Sequence, residues 1–170
     1  MRVAIFAEGR SDQAVIQNIL KGSLGTDRDD IQMILPEYFL DETDLHSPGI
    51  NNFSNWTLLK SECETREKIT TFFDFVGDEA LAIIQIDTAE RFEKGYDVVS
   101  PVKSKPLTDS YSSELRANVI IKMQEWLANN FIERIEFAVC IEEIDAWVLP
   151  LYEKKDSANT MTQKLFLTSL

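Results

Sequence analysis

Residues 80–87 read Ala80-Leu81-Ala82-Ile83-Ile84-Gln85-Ile86-Asp87, an essentially continuous apolar run that stops at an acid. Alternating hydrophobicity marks a strand with one wet face, whereas a continuous run marks a strand covered on both faces, as in a parallel sheet flanked by helices. A strand is therefore expected over 80–86. Working outward, similar short runs occupy Arg2 to Ala7, Ile31 to Leu35, where Pro36 stops it, and Ile135 to Ile141. Helical spacing fills the gaps between them. Ser11 is the expected N-cap of a first helix with Asp12 in its opening turn and Val15, Ile16, Ile19 and Leu20 on one face. Ile69, Phe72, Phe73 and Val76 mark a second helix over Glu62 to Val76, ended by Gly77, and Leu115, Val119, Met123, Trp126 and Leu127 a third over Ser112 to Ala128. With helices between all strands and right-handed crossovers, the expected fold is α/β: a mainly parallel central sheet of about four strands with helices on both faces.

The 170 residues suit a single domain spanning 1–170, with a long loop or insertion at about 36–59 around Pro48-Gly49 and Asn51-Asn52. Hydrophobic residues make up 44% and charged residues 27%, so the chain carries enough apolar surface for its own core. No apolar run approaches the roughly 20 residues of a membrane helix. The first residues lack a signal-peptide core, and Cys63 and Cys140 form no C-x-x-C pair. A cytoplasmic protein with no disulfide and no zinc cage is expected, with the oligomeric state left open. The net charge of −12 repels free duplex, so a nucleic-acid role would need a divalent metal, a local basic strip or a basic partner protein.

Ligand sites of open α/β sheets form at the carboxyl ends of the strands. Acids stand there after the first, third and last expected strands: Glu8, Asp87, and the group Glu142, Glu143 and Asp145. Carboxylates brought together repel, and a shared divalent cation keeps them ionised; Mg2+ suits such a site because it keeps waters and substrate phosphates among its ligands. The competing reading is charge complementarity with helix N-termini, which each acid also precedes. Other chemistries are weaker. There is no G-x-x-x-x-G-K-[ST] phosphate loop, His46 is the only histidine, and a receiver-like phosphoacceptor would need an acid pair on the first strand. Phe72, Phe73, Trp126 and Trp147 read as core packing, and Trp56 is the aromatic left open for stacking.

Ile5-Phe6-Ala7-Glu8-Gly9-Arg10-Ser11-Asp12 resembles the opening motif of Toprim domains, where a strand delivers a Glu followed by a Gly turn. Ile84-Gln85-Ile86-Asp87-Thr88-Ala89 resembles their Asp-x-Asp motif, and Glu143-Ile144-Asp145-Ala146-Trp147 the acid-x-acid motif of small Toprim-like proteins found near mobile elements and defence genes. The resemblance covers most of the chain in strand order, is specific in these three motifs and implies a Toprim/Rossmann-like version of the α/β fold. It departs at Ala89, where the family has its second Asp; Glu90 follows it. The resemblance further implies a nuclease-like enzyme dependent on Mg2+ or Mn2+ that acts on nucleic-acid phosphodiesters, in mobile-element or phage defence, with an ATPase or other protein partner. In that reading Glu8, Asp87 and Glu143 are catalytic, Glu8, Asp87, Glu90, Glu143 and Asp145 hold metal, and Arg10, Lys103 and Lys105 face phosphate. The alternative is a catalytically degenerate module of the same fold that binds a basic protein through its acidic face.

Overall fold

The computed structural model describes residues 1–37, 56–101 and 109–144. Four strands, β1 (Arg2–Phe6), β2 (Ile31–Leu35), β3 (Ala80–Asp87) and β4 (Ile135–Cys140), form one sheet in the order β2-β1-β3-β4. Every neighbouring pair is parallel, with Ile5 beside Met33 and Ile83, and Ile86 beside Val139. Four helices are described: α1 (Arg10–Leu24), α2 (Trp56–Thr65), α3 (Glu67–Val76) and α4 (Asp109–Trp126).

The period of two along each strand sorts its side chains onto two cores. Val3, Ile5 and Ala7 of the first strand segment join Ile16 and Leu20 of α1 with Ile83, Ala138 and Cys140. Ala4 and Phe6 join the other face, where Leu59, Cys63, Ile69, Phe72, Phe73, Leu115, Val119 and Met123 bring in α2, α3 and α4. Helices thus cover both faces, and the strand interiors Val3, Ile5, Phe6, Ile83 and Ile84 are fully buried. Burial of each large side chain contributes about 1.5–3 kcal/mol, which explains why an apolar run with no polar face is stable here.

The sequence expectations differ from the structure at several points. The first helix opens at Arg10 with Gly9, not Ser11, at the N-cap. A Cβ on Gly9 would sit 2.7 Å from Asp12 Oδ2, so the glycine makes room for a buried carboxylate folded back over the turn. The expected single helix over Glu62 to Val76 is two helices, α2 and α3, broken at Arg66 with φ 59°. Glu62 explains the break: its Oε1 accepts the N–H groups of Lys68 (2.8 Å) and Ile69 (3.0 Å), satisfying orphan donors at the start of α3. That α2 begins at Trp56 also shortens the expected 36–59 loop, of which residues 38–55 lie outside the described residues. Trp56 is buried, stacks on Tyr96 at 5.3 Å and donates its indole N–H to Glu93 Oε2 at 2.8 Å, so it is a packing residue with its polar atom satisfied. His46, Trp147 and the C-terminal tail also fall outside the described residues.

Candidate acidic site at the strand ends

The chain steps from β1 to β2 on one side and returns past β1 to β3 on the other, so strand order reverses between β1 and β3. A parallel sheet opens a crevice at the carboxyl ends of its strands where this reversal occurs. Glu8 and Asp87 stand on its two sides. The β1–β3 pairing ends at Phe6 beside Ile84, and Ala7 continues toward β2 by donating its N–H to Leu35 O at 2.8 Å. Beyond that rung the Glu8 side chain takes over: its Oε1 accepts the Asp87 N–H at 2.6 Å.

Gln85 ties the same two residues together. It lies two positions before Asp87 and so shares its sheet face, the face covered by α1. Its side chain is fully buried, accepts the Glu8 N–H on Oε1 at 3.1 Å and donates from Nε2 to Asp87 Oδ1 at 2.7 Å. Nε2 also approaches Cys140 Sγ at 3.8 Å.

Burial decides the electrostatics. It pushes Glu8 up from 4.5 to about 8, against the hydrogen bond from the Asp87 N–H, and the charges of Asp87, Glu90 and Asp12 push the same way. Asp87 rises from 3.8 to about 7, again through burial first and the Asp12 charge next, with hydrogen bonds from Cys140 and the Ile144 N–H opposing and Glu90 adding to the rise. Burial also drives the Cys140 thiol well above its ordinary range, so it is a neutral neighbour and not a thiolate ligand. Asp12 is itself buried, and Glu90 Oε2 is buried with no hydrogen-bond partner among the described residues.

The segment after β3 is held in place by the end of β4. Glu142 adopts φ 67°, donates its N–H to Thr88 Oγ1 at 2.7 Å and accepts the N–H groups of Thr88 and Ala89 on its carbonyl, each at 3.1 Å. Arg91, buried at 4% side-chain exposure, makes a two-pronged pair with the Glu142 carboxylate at 3.2 Å on each prong. Tyr96, fully buried, donates its hydroxyl to the Asp87 carbonyl at 2.7 Å.

No family model matches this chain, and neither does any curated protein or solved structure. Glu8 and Asp87 are brought together as expected, and Glu90 joins them through its charge. Glu143 is exposed, and the charges that act on Glu8 and Asp87 come from Asp12 and Glu90 instead. Arg10 is exposed at the first position of α1; Lys103, Lys105 and Asp145 lie outside the described residues. Gln85, Asp12 and Tyr96 are the additions. The signal for Gln85 is in the sequence: it is the one polar side chain that interrupts the 80–86 run.

Among the described residues no three His, Cys, Asp or Glu side chains form a ready-made metal cage. Mg2+ does not require one, since it binds through one or two carboxylates and completes its shell with water and phosphate oxygens. Glu8 and Asp87, with the charges of Asp12 and Glu90 acting on both, are the described residues that could offer hard oxygen donors to such an ion.

Proposed function

We propose that this chain is a divalent-metal-dependent, Toprim-like phosphodiester hydrolase acting on nucleic acid. The observation that carries the reading is the meeting of Glu8 and Asp87 at the point of strand reversal, where the Asp87 backbone N–H donates to Glu8 Oε1 at 2.6 Å and burial raises both carboxyls toward neutrality. A carboxyl pair held where its own ionisation is unfavourable gains most from a cation. Glu8 and Asp87 would hold Mg2+ or Mn2+, which when bound polarises a phosphodiester and stabilises the leaving oxygen. The chain's own residues supply the rest. Glu8, titrating at about 8, is poised to hold or give up a proton near neutral pH. Asp12 and Glu90 keep the crevice negative, and the Thr88–Glu142 and Arg91–Glu142 contacts fix the backbone that follows Asp87. With −12 net charge, productive contact with nucleic acid calls for a basic or ATP-hydrolysing protein partner.

A second reading is favoured by Ala89, which offers no carboxylate where the resemblance places one: a catalytically degenerate module that docks a basic protein on the acidic crevice. Incubation of labelled single- and double-stranded DNA and RNA with protein and Mn2+ separates the two. Cleavage that Asp87→Asn abolishes supports the hydrolase; absence of cleavage, with a polybasic peptide bound in a salt-sensitive and Asp87-dependent manner, supports the module.

A further inference from the structure

We infer that Gln85 is a positioning residue for the acid pair: its amide closes a hydrogen-bonded ring that fixes Glu8 and Asp87 relative to each other. The inference deepens the metal-site reading above and rests on it for its purpose, though not for its geometry. The ring has three bonds. The Glu8 N–H donates to Gln85 Oε1 at 3.1 Å, Gln85 Nε2 donates to Asp87 Oδ1 at 2.7 Å, and the Asp87 N–H donates back to Glu8 Oε1 at 2.6 Å. Each member thus meets the other two, and the strand ends are joined through side chains beyond the last backbone rung.

The chemistry of position 85 is narrow. A primary amide presents an acceptor and a donor at one end, and here the oxygen faces an N–H while the nitrogen faces a carboxylate. The flipped amide would set donor against donor and acceptor against acceptor, so the ring also fixes the rotamer. A carboxylate at this position would keep the acceptor and lose the donor. A lysine or arginine would keep a donor, but its charge would neutralise the pair and oppose a cation. The neutral amide orients Asp87 without competing for the ligand that the acids attract. Gln85 is fully buried on the α1-covered face of the sheet, so removing its amide takes away both bonds at a position no other described side chain fills.

The test compares Gln85→Met, which keeps the length and loses both donor and acceptor, with Gln85→Glu, which keeps the acceptor. Amide hydrogen exchange of the metal-free proteins is read by NMR, and Mn2+ uptake by titration calorimetry with Asp87→Asn as the control. In Gln85→Met the Glu8 and Asp87 amides should both exchange about tenfold faster or more while the amides of α4 keep their protection. Asp87 is the informative one, because its N–H is bonded to Glu8 and not to Gln85. Gln85→Glu should restore protection at Glu8, and at Asp87 only while the new buried carboxyl keeps its proton and donates in place of the amide, so the protection of Asp87 should fall as pH rises. Mn2+ affinity should fall about tenfold in Gln85→Met. Wild-type exchange at Asp87 in both variants would overturn the proposal and reduce Gln85 to a space-filling side chain. If Gln85→Met fails to fold, the fall of Asp87 protection with rising pH in Gln85→Glu, with Glu8 still protected, decides it. Should wild type take up no Mn2+ while the exchange pattern appears, the metal reading falls and the positioning role stands. Mn2+ uptake without the exchange pattern means that the metal site stands and the positioning role falls.

Discussion

The Asp87 N–H donates to Glu8 Oε1 at 2.6 Å, so the second residue after β1 extends the hydrogen bonding between β1 and β3 beyond their last strand rung. This contact gives Glu8 two tasks. As an acceptor it holds the strand ends together; as a buried acid beside Asp87, Asp12 and Glu90 it resists ionisation.

The first consequence is a stability that falls with rising pH. Glu8 binds its proton more tightly when folded, at about 8 against an ordinary 4.5, so its contribution is fully present below about pH 4.5 and is lost as pH rises through about 8. Asp87 acts in the same direction between 3.8 and about 7. Glu8→Gln keeps an acceptor for the Asp87 N–H and carries no charge. Urea unfolding of metal-free protein should show wild type losing stability relative to Glu8→Gln by on the order of a few kcal/mol between pH 5 and 8. The difference between the two proteins is the quantity to read, because burial raises Glu62 and Glu136 as well. Parallel pH profiles would show that Glu8 ionises freely.

A different asymmetry follows from the Arg91–Glu142 pair, whose side chains are 4% and 46% exposed. Glu142→Ala removes the counter-charge of a buried guanidinium and leaves it only the neutral acceptors Thr88 O and Tyr111 Oη, whereas Arg91→Met leaves a carboxylate that water can solvate. Glu142→Ala should therefore be the more destabilising, by roughly 1 kcal/mol or more in urea unfolding at neutral pH. Equal losses would place the worth of the contact in packing and not in charge.

Glu62 should behave as the cap of α3. Glu62→Ala removes the acceptor of the Lys68 and Ile69 N–H groups and should cost about 1–2 kcal/mol, while Glu62→Gln, which keeps an oxygen in place, recovers most of it. Thermal unfolding of the pair checks this; equal destabilisation would show that the negative charge, not the acceptor, matters.

How much of this was legible in the sequence depends on whether the signal is periodic or local. The four strands and their parallel pairing follow from apolar runs too continuous for a one-sided sheet, and the chain's order of elements then places Glu8 and Asp87 at the same end. The break at Arg66 has no such signal: arginine is a good helix former, and what stops the helix is the Glu62 carboxylate reaching forward to the next turn. Asp12 reads equally well as a helix-end charge, and only its burial over Gly9 shows it as part of the acidic crevice. Gln85 is visible as the one polar side chain of its run, but its role is not. A single polar residue in an apolar run does not announce its partners, one of which, Glu8, lies 77 positions away in the chain.

Proton and metal compete for the same two carboxyls. If Glu8 and Asp87 hold Mn2+, uptake must displace the proton that burial keeps on the pair, so binding should release protons and tighten as pH rises from about 6 to 9. A ligand that binds only the folded chain raises its melting temperature by mass action, and Asp87→Asn should remove that rise. The metal-dependent difference must be compared, since Asp87→Asn also relieves repulsion in the metal-free protein. Ala89 supplies a further check: it is partly exposed, its N–H already donates to Glu142 O at 3.1 Å, and a carboxylate added there leaves that backbone bond intact. Ala89→Asp should strengthen Mn2+ binding by at least about tenfold, the effect of one added hard oxygen ligand worth roughly 1.4 kcal/mol. Calorimetry at two pH values in buffers of different ionisation heat measures both the affinity and the protons released. Millimolar Mn2+ that produces neither heat nor a melting shift in wild type or Ala89→Asp would rule out the metal site and leave the acidic docking module as the reading of this crevice.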